Sequence, residues 1–399
     1  MKKRRVLILN TSHNDLSMIF ALRDMNQYVI AIGNKPRLVG QKYVDEYICM
    51  DYSDKEKVLQ LARDKKIDAI CACCNDFGVY TAAYVAEKLG LHGHDTYENT
   101  CKINHKDEFR KLAESLDLLI PSAASFDNAV DAENYIKSLS EKSYPVMVKA
   151  VDLSAGNGIT CVNSIDEAKK AINLSFEKSR IGKIVIEQYI EGSQHAICTF
   201  IKNQKVIAMT SNNEYSIVNP YRIEIDTWPA DHFDDVKDIL IYDIEKIAGH
   251  LKLCDGIFHM QYRINIVDGK PYIIEPMRRS IGNMHWLPAY QVSGFNWDYW
   301  EARTHIGLDI SDIPRAMENH GCAAYRSVLA SENGVFDHID ISDEVMQYCI
   351  GEYMLLKSGE KIDNYLSQMI GLYFFKFENS EQMKHVMIDK YNDIMAVMR

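Results

Sequence analysis

A lysine at the end of a short apolar strand is followed closely by a loop of small residues. The strand is Val146–Val148, the lysine is Lys149, and the loop runs from Ser154 to Gly158. Small side chains let the backbone N–H groups of such a loop approach an anion closely, and the lysine adds a positive charge. The order differs from a P-loop, in which the lysine follows the glycines and opens a helix. The pattern therefore predicts an anion site, suited to a phosphate, in a chain without a P-loop.

The bulk composition limits the classes of partner. The chain has 399 residues, of which 47% are hydrophobic and 25% charged, as in ordinary globular proteins. A chain of this length can form about two or three domains. Its net charge of −11 argues against nucleic-acid and membrane-surface binding, because both depend on basic patches.

Targeting signals are weak in this sequence. The basic run Lys2–Arg5 precedes only four apolar residues, Val6–Leu9, which is too short for a signal-peptide core. The ten cysteines lie mostly inside apolar segments, as reduced thiols do, so a cytoplasmic location is expected. Cys71–Cys74 is interpreted as buried packing, with a redox or metal role as the alternative.

The elements that must position these residues can be read from periodicity. Strands and helices alternate over the first hundred residues, which predicts an open parallel sheet. No glycine follows the first strand, so a dinucleotide site is not expected there. One long helix is predicted over residues 96–116 and a last helix over residues 380–398. Asn75 and Asp76 are interpreted as a helix N-cap or as ligand contacts.

Four motifs follow one another in the chain: His105-Lys-Asp-Glu-Phe-Arg110, the Lys149 loop, Val185-Ile-Glu-Gln-Tyr-Ile-Glu-Gly192, and His259-Met-Gln-Tyr-Arg263 with Tyr272-Ile-Ile-Glu-Pro-Met-Arg-Arg279. In this order they resemble the ATP-grasp superfamily, in its carbamoyl-phosphate synthetase, biotin carboxylase and amino-acid ligase branch. The resemblance covers residues 1 to about 300. It implies an α/β protein with three parts: a parallel-sheet pre-ATP-grasp domain (1–105), an ATP-grasp domain of two α+β subdomains (106–305, lid about 120–190) and a C-terminal α+β region (306–399).

The resemblance implies that ATP is the nucleotide. Lys106 and Lys149 would bind its phosphates under the small-residue loop, and Glu187 would accept a hydrogen bond from the adenine amine. Gln194 stands where relatives usually place a ribose-binding glutamate. The full set of expected ATP contacts is Lys106, Lys149, Ser154, Gly156, Gly158, Glu187, Gln188, Tyr189, Ile190 and Gln194.

The resemblance also implies Mg²⁺, held by Gln261 and Glu275. Met277 occupies the position at which relatives carry an asparagine ligand, and a thioether binds Mg²⁺ poorly. The expected number of ions is therefore one or two. Asn157, where many relatives have arginine, removes one positive charge from the loop.

Catalysis and substrate binding are expected at the end of the last motif. Arg279 would steady the transferred phosphate together with Lys149. Arg278, Ser280, Gly282 and Asn283 are predicted to contact the substrate. The stretch from Ser211 to Arg222 is a candidate second wall, although Tyr221, like Trp286, fits an aromatic core equally well.

These roles imply an ATP-dependent carboxylate–amine ligase that works through an acyl phosphate. The partners expected are a small-molecule carboxylate and an amine, with no nucleic acid or membrane and with a possible homodimer. Two alternatives stay open: a small-molecule kinase or carboxy-phosphate enzyme on the same scaffold, and a nucleotide-binding pseudoenzyme, which Met277 and Gln194 favour.

Overall fold

The N-terminal part is a parallel sheet, as predicted. The computed structural model describes residues 3–153 and 156–399. The sheet order is β3-β2-β1-β4, and every pair in it is parallel. Apolar side chains from the sheet pack against helices on both faces, as such crossovers require. The elements are β1 (Arg5–Leu9), α1 (Leu16–Asp24), β2 (Tyr28–Gly33), β3 (Glu46–Cys49), α2 (Lys55–Lys65), β4 (Ala69–Cys71) and α3 (Asp76–Leu89).

The helix predicted over residues 96–116 is two helices, so the prediction of one is wrong. They are α4 (Tyr97–Asn104) and α5 (Lys106–Ser115), and His105 between them is extended, with φ −85° and ψ 123°. Periodicity could not show the break, because both helices keep an apolar face on the core. The break places Lys106 at the first position of α5.

A four-stranded antiparallel sheet with two helices follows, and we call it the lid. Its strand order is β5-β8-β6-β7. A compact apolar cluster lies between the sheet and the helices. The elements are β5 (Ala123–Phe126), α6 (Ala129–Ser138), β6 (Val146–Ala150), β7 (Ile159–Val162), α7 (Ile165–Lys178) and β8 (Ile184–Gln188).

The centre of the molecule is a large antiparallel sheet. Its first six strands have the order β13-β12-β9-β10-β11-β14. Helix α8 covers one face with apolar side chains, and α9 and α10 cover part of the other. The elements are β9 (Gly192–Lys202), β10 (Lys205–Tyr215), β11 (Ile225–Trp228), α8 (Phe233–Leu251), β12 (Gly256–Asn265), β13 (Pro271–Met277), α9 (Trp286–Ser293), α10 (Trp297–His305) and β14 (Cys322–Val328).

The C-terminal residues extend this sheet and add a smaller one. Strands β18 and β16 continue the large sheet beyond β14, and β17-β15-β19 form a three-stranded sheet. The elements are β15 (Gly334–Ile341), α11 (Asp343–Met346), β16 (Cys349–Met354), β17 (Lys361–Ile362), β18 (Gly371–Phe377), α12 (Ser380–Lys384) and β19 (Ile394–Met398). The last helix was predicted to reach residue 398. That prediction is wrong, because residues 394–398 pair with β15, and tertiary pairing overrides local helical preference. The domain boundaries at 105 and 305 stay predictions.

A buried carboxyl group lies where α10 meets the N-terminal sheet. Asp298 accepts a hydrogen bond from the Ser17 hydroxyl and is 3% exposed. Burial raises its pKa to about 7. The nearby Ser280 opposes this effect, and the charges of Glu301 and Asp15 add to it. The folded pKa lies above the unfolded value of about 3.9, so the folded protein binds this proton more tightly. The stabilisation is present below pH 4 and is lost as the pH rises through about 7.

Asp298→Asn should therefore flatten the dependence of stability on pH, because the amide imitates the neutral acid. Wild-type protein should lose up to about 4 kcal/mol more than the variant between pH 4 and pH 8. Urea unfolding at both pH values measures the difference, and Asp24→Asn, at the exposed end of α1, is the control. Equal losses in wild type and variant would show that Asp298 is ionised throughout.

Candidate active site

A cavity of about 810 Å³ lies where the lid, the large sheet and the N-terminal part meet. This volume falls in the range of small-molecule sites. Six cationic side chains and five carboxylates line it. The cations are Lys106, Lys149, Arg180, Arg222, Arg263 and Arg279, and the carboxylates are Asp76, Glu187, Glu214, Asp226 and Glu275. A second cavity of about 590 Å³ shares Glu187, Gln188 and Tyr189, but Lys142 is the one cation among its described lining residues. The larger cavity is the better match to a polyanionic ligand.

Lys106 reaches this cavity from the first position of α5. Its Nζ donates to Glu275 Oε1 at 2.9 Å and to the Leu153 carbonyl at 2.6 Å. Glu275 lies on β13, so this pair joins α5 to the large sheet, and the Leu153 contact ties α5 to the start of the small-residue loop. The first and fourth motifs of the sequence therefore meet at this ion pair.

Lys149 and Arg110 enclose Glu187 from two sides. Lys149 Nζ lies 2.5 Å from Glu187 Oε2, and Arg110 Nε lies 3.0 Å from Glu187 Oε1. All three side chains are less than 10% exposed. Arg110 also donates to the carbonyls of Ile273 and Ile274 on β13. Arg110 was missed as a site residue, although its spacing of four from Lys106 puts both on one helix face.

The electrostatics of Glu187 follow from these partners. Burial alone would raise its pKa, but the charges and hydrogen bonds of Arg110 and Lys149 outweigh burial and hold the pKa at about 2. Burial lowers the pKa of Lys149, and Glu187 opposes that effect. We conclude that Glu187 is ionised and that its two cations hold it in place.

The segment predicted to read adenine lines the cavity between the lid and the large sheet. The N–H groups of Gln188 and Tyr189 donate to the carbonyls of Ser122 and Pro145 at 2.9 and 3.3 Å. Ile190, whose side chain is buried, follows directly. The backbone N–H groups of Gln188 and Tyr189 are therefore already hydrogen-bonded within the lid. The backbone N–H of Ile190 is the candidate donor to a nucleotide base.

Gln194 and Gln261 share one partner, Glu214. The Nε2 atoms of both amides donate to the Glu214 carboxylate at 2.8 Å, and Gln194 Oε1 accepts from Arg263 at 3.0 Å. Glu214 was not singled out from the sequence, except as part of the second wall. The alternation of side chains along β10 was a signal, because it puts residues 212 and 214 on one face.

Arg279 extends from the end of β13 across to the N-terminal part. Its Nε lies 2.5 Å from Asp76 Oδ1, and its Nη2 lies 3.2 Å from the Met277 sulfur. Asn75 caps α3 by accepting from the Gly78 N–H at 3.0 Å. The two open interpretations of Asn75 and Asp76 therefore divide: Asn75 caps the helix, and Asp76 pairs with Arg279 at the cavity.

Two predicted substrate contacts lie outside the cavity, so those predictions are wrong. Arg278 is buried on the opposite side, where it donates to Asp95 at 2.8 Å and to the carbonyls of Ile257 and Cys254. Ser280 is 2% exposed and lies beside Asp298. Both residues follow the end of β13 at Met277, so the pleat of the sheet does not direct their side chains towards the cavity.

The residues after Arg279 form the far end of the cavity. Gly282 and Asn283 line it, and Asn283 Nδ2 donates to the Tyr325 hydroxyl at 3.1 Å. His285 and His259 lie beside them. Burial lowers the pKa of His285 to about 3 and that of His259 well below its usual range. Both imidazoles are therefore neutral.

The described end of the small-residue loop, residues 156–158, lies against Tyr221. Gly156 has a φ of +76°, and a Cβ there would lie 2.4 Å from the Tyr221 carbonyl oxygen, so the close approach requires glycine. Gly158 has a φ of +66°, and its carbonyl accepts from Ala150 N–H at 2.9 Å. The Tyr221 hydroxyl accepts from the Cys161 N–H at 2.8 Å. Ser154, also predicted to contact ATP, lies outside the described residues.

Tyr221→Phe should loosen this attachment of the lid, because it removes one hydrogen bond to β7. A bond of about 1 kcal/mol corresponds to roughly fivefold faster exchange of the Cys161 amide hydrogen. Hydrogen exchange resolved to single residues measures it, with Tyr135→Phe on α6 as the control. Unchanged exchange at Cys161 would show that Tyr221 does not hold the lid.

The oxygen atoms of Gln261 and Glu275 are the candidate ligands for Mg²⁺. Gln261 pairs with Glu275 across β12 and β13, so both side chains belong to one wall. Carboxylate and amide oxygens suit Mg²⁺, which binds to one or two carboxylates plus ligand phosphates. Met277 lines the same wall with its sulfur at Arg279. These oxygen donors fit Mg²⁺.

Part of the chain is similar in sequence to known ATP-dependent ligases. Residues 105–220 match the ATP-grasp (A) domain of phosphoribosylglycinamide synthetase. Phosphoribosylamine–glycine ligase of Lactococcus lactis is 37% identical over 92 residues, which is 23% of this chain and 21% of that protein. The ligase of Methanopyrus kandleri is 25% identical over 240 residues, 56% of this chain and 51% of that protein. The chain thus spans from a fifth to half of the length of these relatives.

Solved structures match over the whole chain. L-amino acid ligase of Bacillus licheniformis has a TM-score of 0.83 at 18% identity, with both chains fully covered. The biotin carboxylase domain of a Hydrogenobacter thermophilus carboxylase, crystallised with MgADP, has a TM-score of 0.78 at 16% identity, covering 99% and 90% of the chains. Residues 105–220 therefore match an ATP-grasp domain, and the whole chain has the fold of these ligase and carboxylase structures. The predicted ATP-grasp fold is thereby confirmed. None of the helices within residues 3–153 and 156–399 has the length and apolar character needed to span a membrane.

Proposed function

We propose that this ATP-grasp protein is an ATP-dependent carboxylate–amine ligase. A carboxylate would attack the γ-phosphate of ATP to form an acyl phosphate, and an amine would then displace phosphate to give an amide. The observation that carries the proposal is the meeting of Lys106, Lys149, Glu275 and Arg279 around one cavity of about 810 Å³. The names of the relatives, a phosphoribosylamine–glycine ligase and an L-amino acid ligase, support the same reaction class.

The chain's own residues would act by position and charge. Lys106 and Lys149 are buried cations, each paired with one carboxylate, so both are held ready for phosphate oxygens. Arg279 is fixed by Asp76 at the cavity wall, where it can stabilise charge on the transferred phosphoryl group. Gln261 and Glu275 would hold Mg²⁺, which when bound neutralises phosphate charge. The lid would exclude water from the acyl phosphate.

The remaining predicted contacts would bind the nucleotide and the substrates. The segment Gln188–Ile190 would hold adenine, and Gln194 would contact the ribose from beside Arg263. Gly156 and Gly158 would cover the phosphates. Gly282 and Asn283 would face the substrates, and we keep a homodimer as an expectation.

A non-catalytic alternative has two observations behind it. The Met277 sulfur contacts Arg279 where relatives carry an oxygen ligand, and Gln194 replaces an acidic residue. A protein of this kind would bind ATP and not turn it over. A kinase on the same scaffold would instead release a phosphorylated carboxylate or alcohol.

The proposal is tested by incubating the protein with ATP, Mg²⁺ and pairs of amino acids. We expect ADP and phosphate to appear only with a carboxylate present, and mass spectrometry should show an amide product. Tight ATP binding by calorimetry without ADP release would support the non-catalytic alternative. Absence of both binding and release would overturn the proposed function.

A further inference from the structure

Three polar side chains lie side by side on the large sheet at the far end of the cavity. Glu214 on β10 is paired with Asp226 on β11, and Asp226 is paired with Tyr325 on β14. All three line the cavity and are less than 10% exposed. Directly opposed positions on neighbouring strands bring side chains within about 5.5 Å at Cβ. Two carboxyl groups are thus held as close neighbours.

These carboxyl groups lack the cations that the others in the cavity have. Glu187, Glu275 and Asp76 each pair with a lysine or an arginine. Across residues 3–153 and 156–399, no lysine or arginine forms an ion pair with Glu214 or Asp226; the charge of Arg263, which donates to Gln194, acts on Glu214 from a greater distance. Adjacent like charges destabilise a sheet unless a cation or a proton neutralises one of them.

Asp226 is also incompletely hydrogen-bonded. Within the described part of the chain, Oδ1 of Asp226 and Nδ2 of the neighbouring Asn212 have no hydrogen-bond partner at normal geometry, although Asn212 and Tyr325 lie close enough to lower the pKa of Asp226. Asp226 is 3% exposed, and such a buried oxygen costs free energy unless a ligand satisfies it. Burial first, and then the charge of Glu214, raises the pKa of Asp226 well above its usual range.

From this arrangement we infer that Asp226, supported by Glu214, binds the acceptor amine as its ammonium ion and takes one of its protons before attack. The inference rests on the proposed ligase function and names its second substrate as a cationic amine. Ammonium suits the site better than a metal ion, because the amides of Gln194 and Gln261 turn N–H groups towards Glu214. Neutral His259 and His285 do not repel a cation.

The proton balance gives Asp226 a defined task. An ammonium ion has no lone pair, so it must lose one proton, which Asp226 accepts, before its nitrogen attacks the acyl carbon. The C–N bond forms and the bond from the acyl carbon to the phosphate oxygen breaks. The leaving phosphate takes the second proton from nitrogen, and Asp226 returns the first to water. A carboxyl group with a raised pKa is suited to this transfer.

The test separates amine transfer from acyl phosphate formation. Wild type and Asp226→Asn are incubated with ATP, Mg²⁺ and the twenty proteinogenic amino acids, with and without hydroxylamine. Hydroxylamine is largely uncharged at pH 7.5 and traps the acyl phosphate as a hydroxamate without an ammonium site. We expect Asp226→Asn to form hydroxamate within about threefold of wild type and to lose amide formation at least about 100-fold, the usual effect of removing a general base.

Controls distinguish the other outcomes. Asp243→Asn, on α8 away from the cavity, should form amide at the wild-type rate. Glu214→Gln should raise the KM for the amine by a larger factor than that by which it lowers the rate of hydroxamate formation. Asp226→Asn should unfold at the wild-type temperature or above, because it removes a buried repulsion. Amide formation within threefold of wild type, or equal loss of amide and hydroxamate, would overturn the inference. Absence of hydroxamate with wild type would instead refute the proposed function.

Discussion

Replacement of Glu275 by glutamine is expected to lower Mg²⁺-dependent ADP release by about 100- to 1,000-fold, the range found when one preorganised electrostatic group is removed from an active site. Glu275 is the carboxylate that holds Lys106 Nζ at 2.9 Å, and it is the one carboxylate proposed to bind Mg²⁺. Glutamine keeps the shape and removes the charge. Lys106 would then lose its counter-charge, and the wall would keep only neutral oxygen ligands.

Two readouts separate this role from a structural one. The concentration of Mg²⁺ that gives half-maximal ADP release should rise at least about tenfold in Glu275→Gln, whereas loss of folding would lower the rate at every Mg²⁺ concentration. Asp268→Asn, in the exposed turn of the same hairpin, is the matched control. A variant with wild-type Mg²⁺ dependence would exclude Glu275 as a metal ligand.

The sequence predicted those parts of the site that lie in contiguous motifs. Lys106, Lys149, Glu187 and Glu275 were found because each stands in a run of residues with a recognisable order. Their mutual pairing was not predicted, because it depends on the break at His105, which turns Lys106 towards Glu275. An extended residue between two amphipathic helices leaves the apolar pattern almost unchanged.

Residues that meet only across the sheet were not predicted. Glu214 and Asp226 are twelve positions apart, and the loop between them gives no sign that β10 and β11 are neighbours. The error at Arg278 arose because β13 ends at Met277, so strand alternation does not fix the direction of the side chains that follow it. The error at the C-terminus could not have been avoided, because residues 394–398 form a strand only by pairing with β15.

Replacement of Glu187 by glutamine is expected to destabilise the fold by about 3–5 kcal/mol, the cost of leaving a buried charge without its partner. Glu187 is 1% exposed, and two cations depend on it, Arg110 and Lys149. Glutamine retains hydrogen bonding but removes the negative charge. Urea unfolding measures the loss, and the exposed Glu191→Gln in the same segment should change stability by less than about 0.5 kcal/mol.

A second variant and the pH dependence show whether charge is the cause. Lys149→Met added to Glu187→Gln should recover part of the loss, because it removes one of the uncompensated cations. The folded pKa of Glu187 is about 2, below its unfolded value of about 4.3. Its stabilisation is therefore present above pH 4.3 and is lost as the pH falls towards 2, so the deficit of Glu187→Gln should shrink over that interval. A deficit that stays constant with pH, or no recovery in the double variant, would show that packing rather than charge holds Glu187. The contact with the adenine amine that the sequence predicts would then be the better explanation for a glutamate at this position.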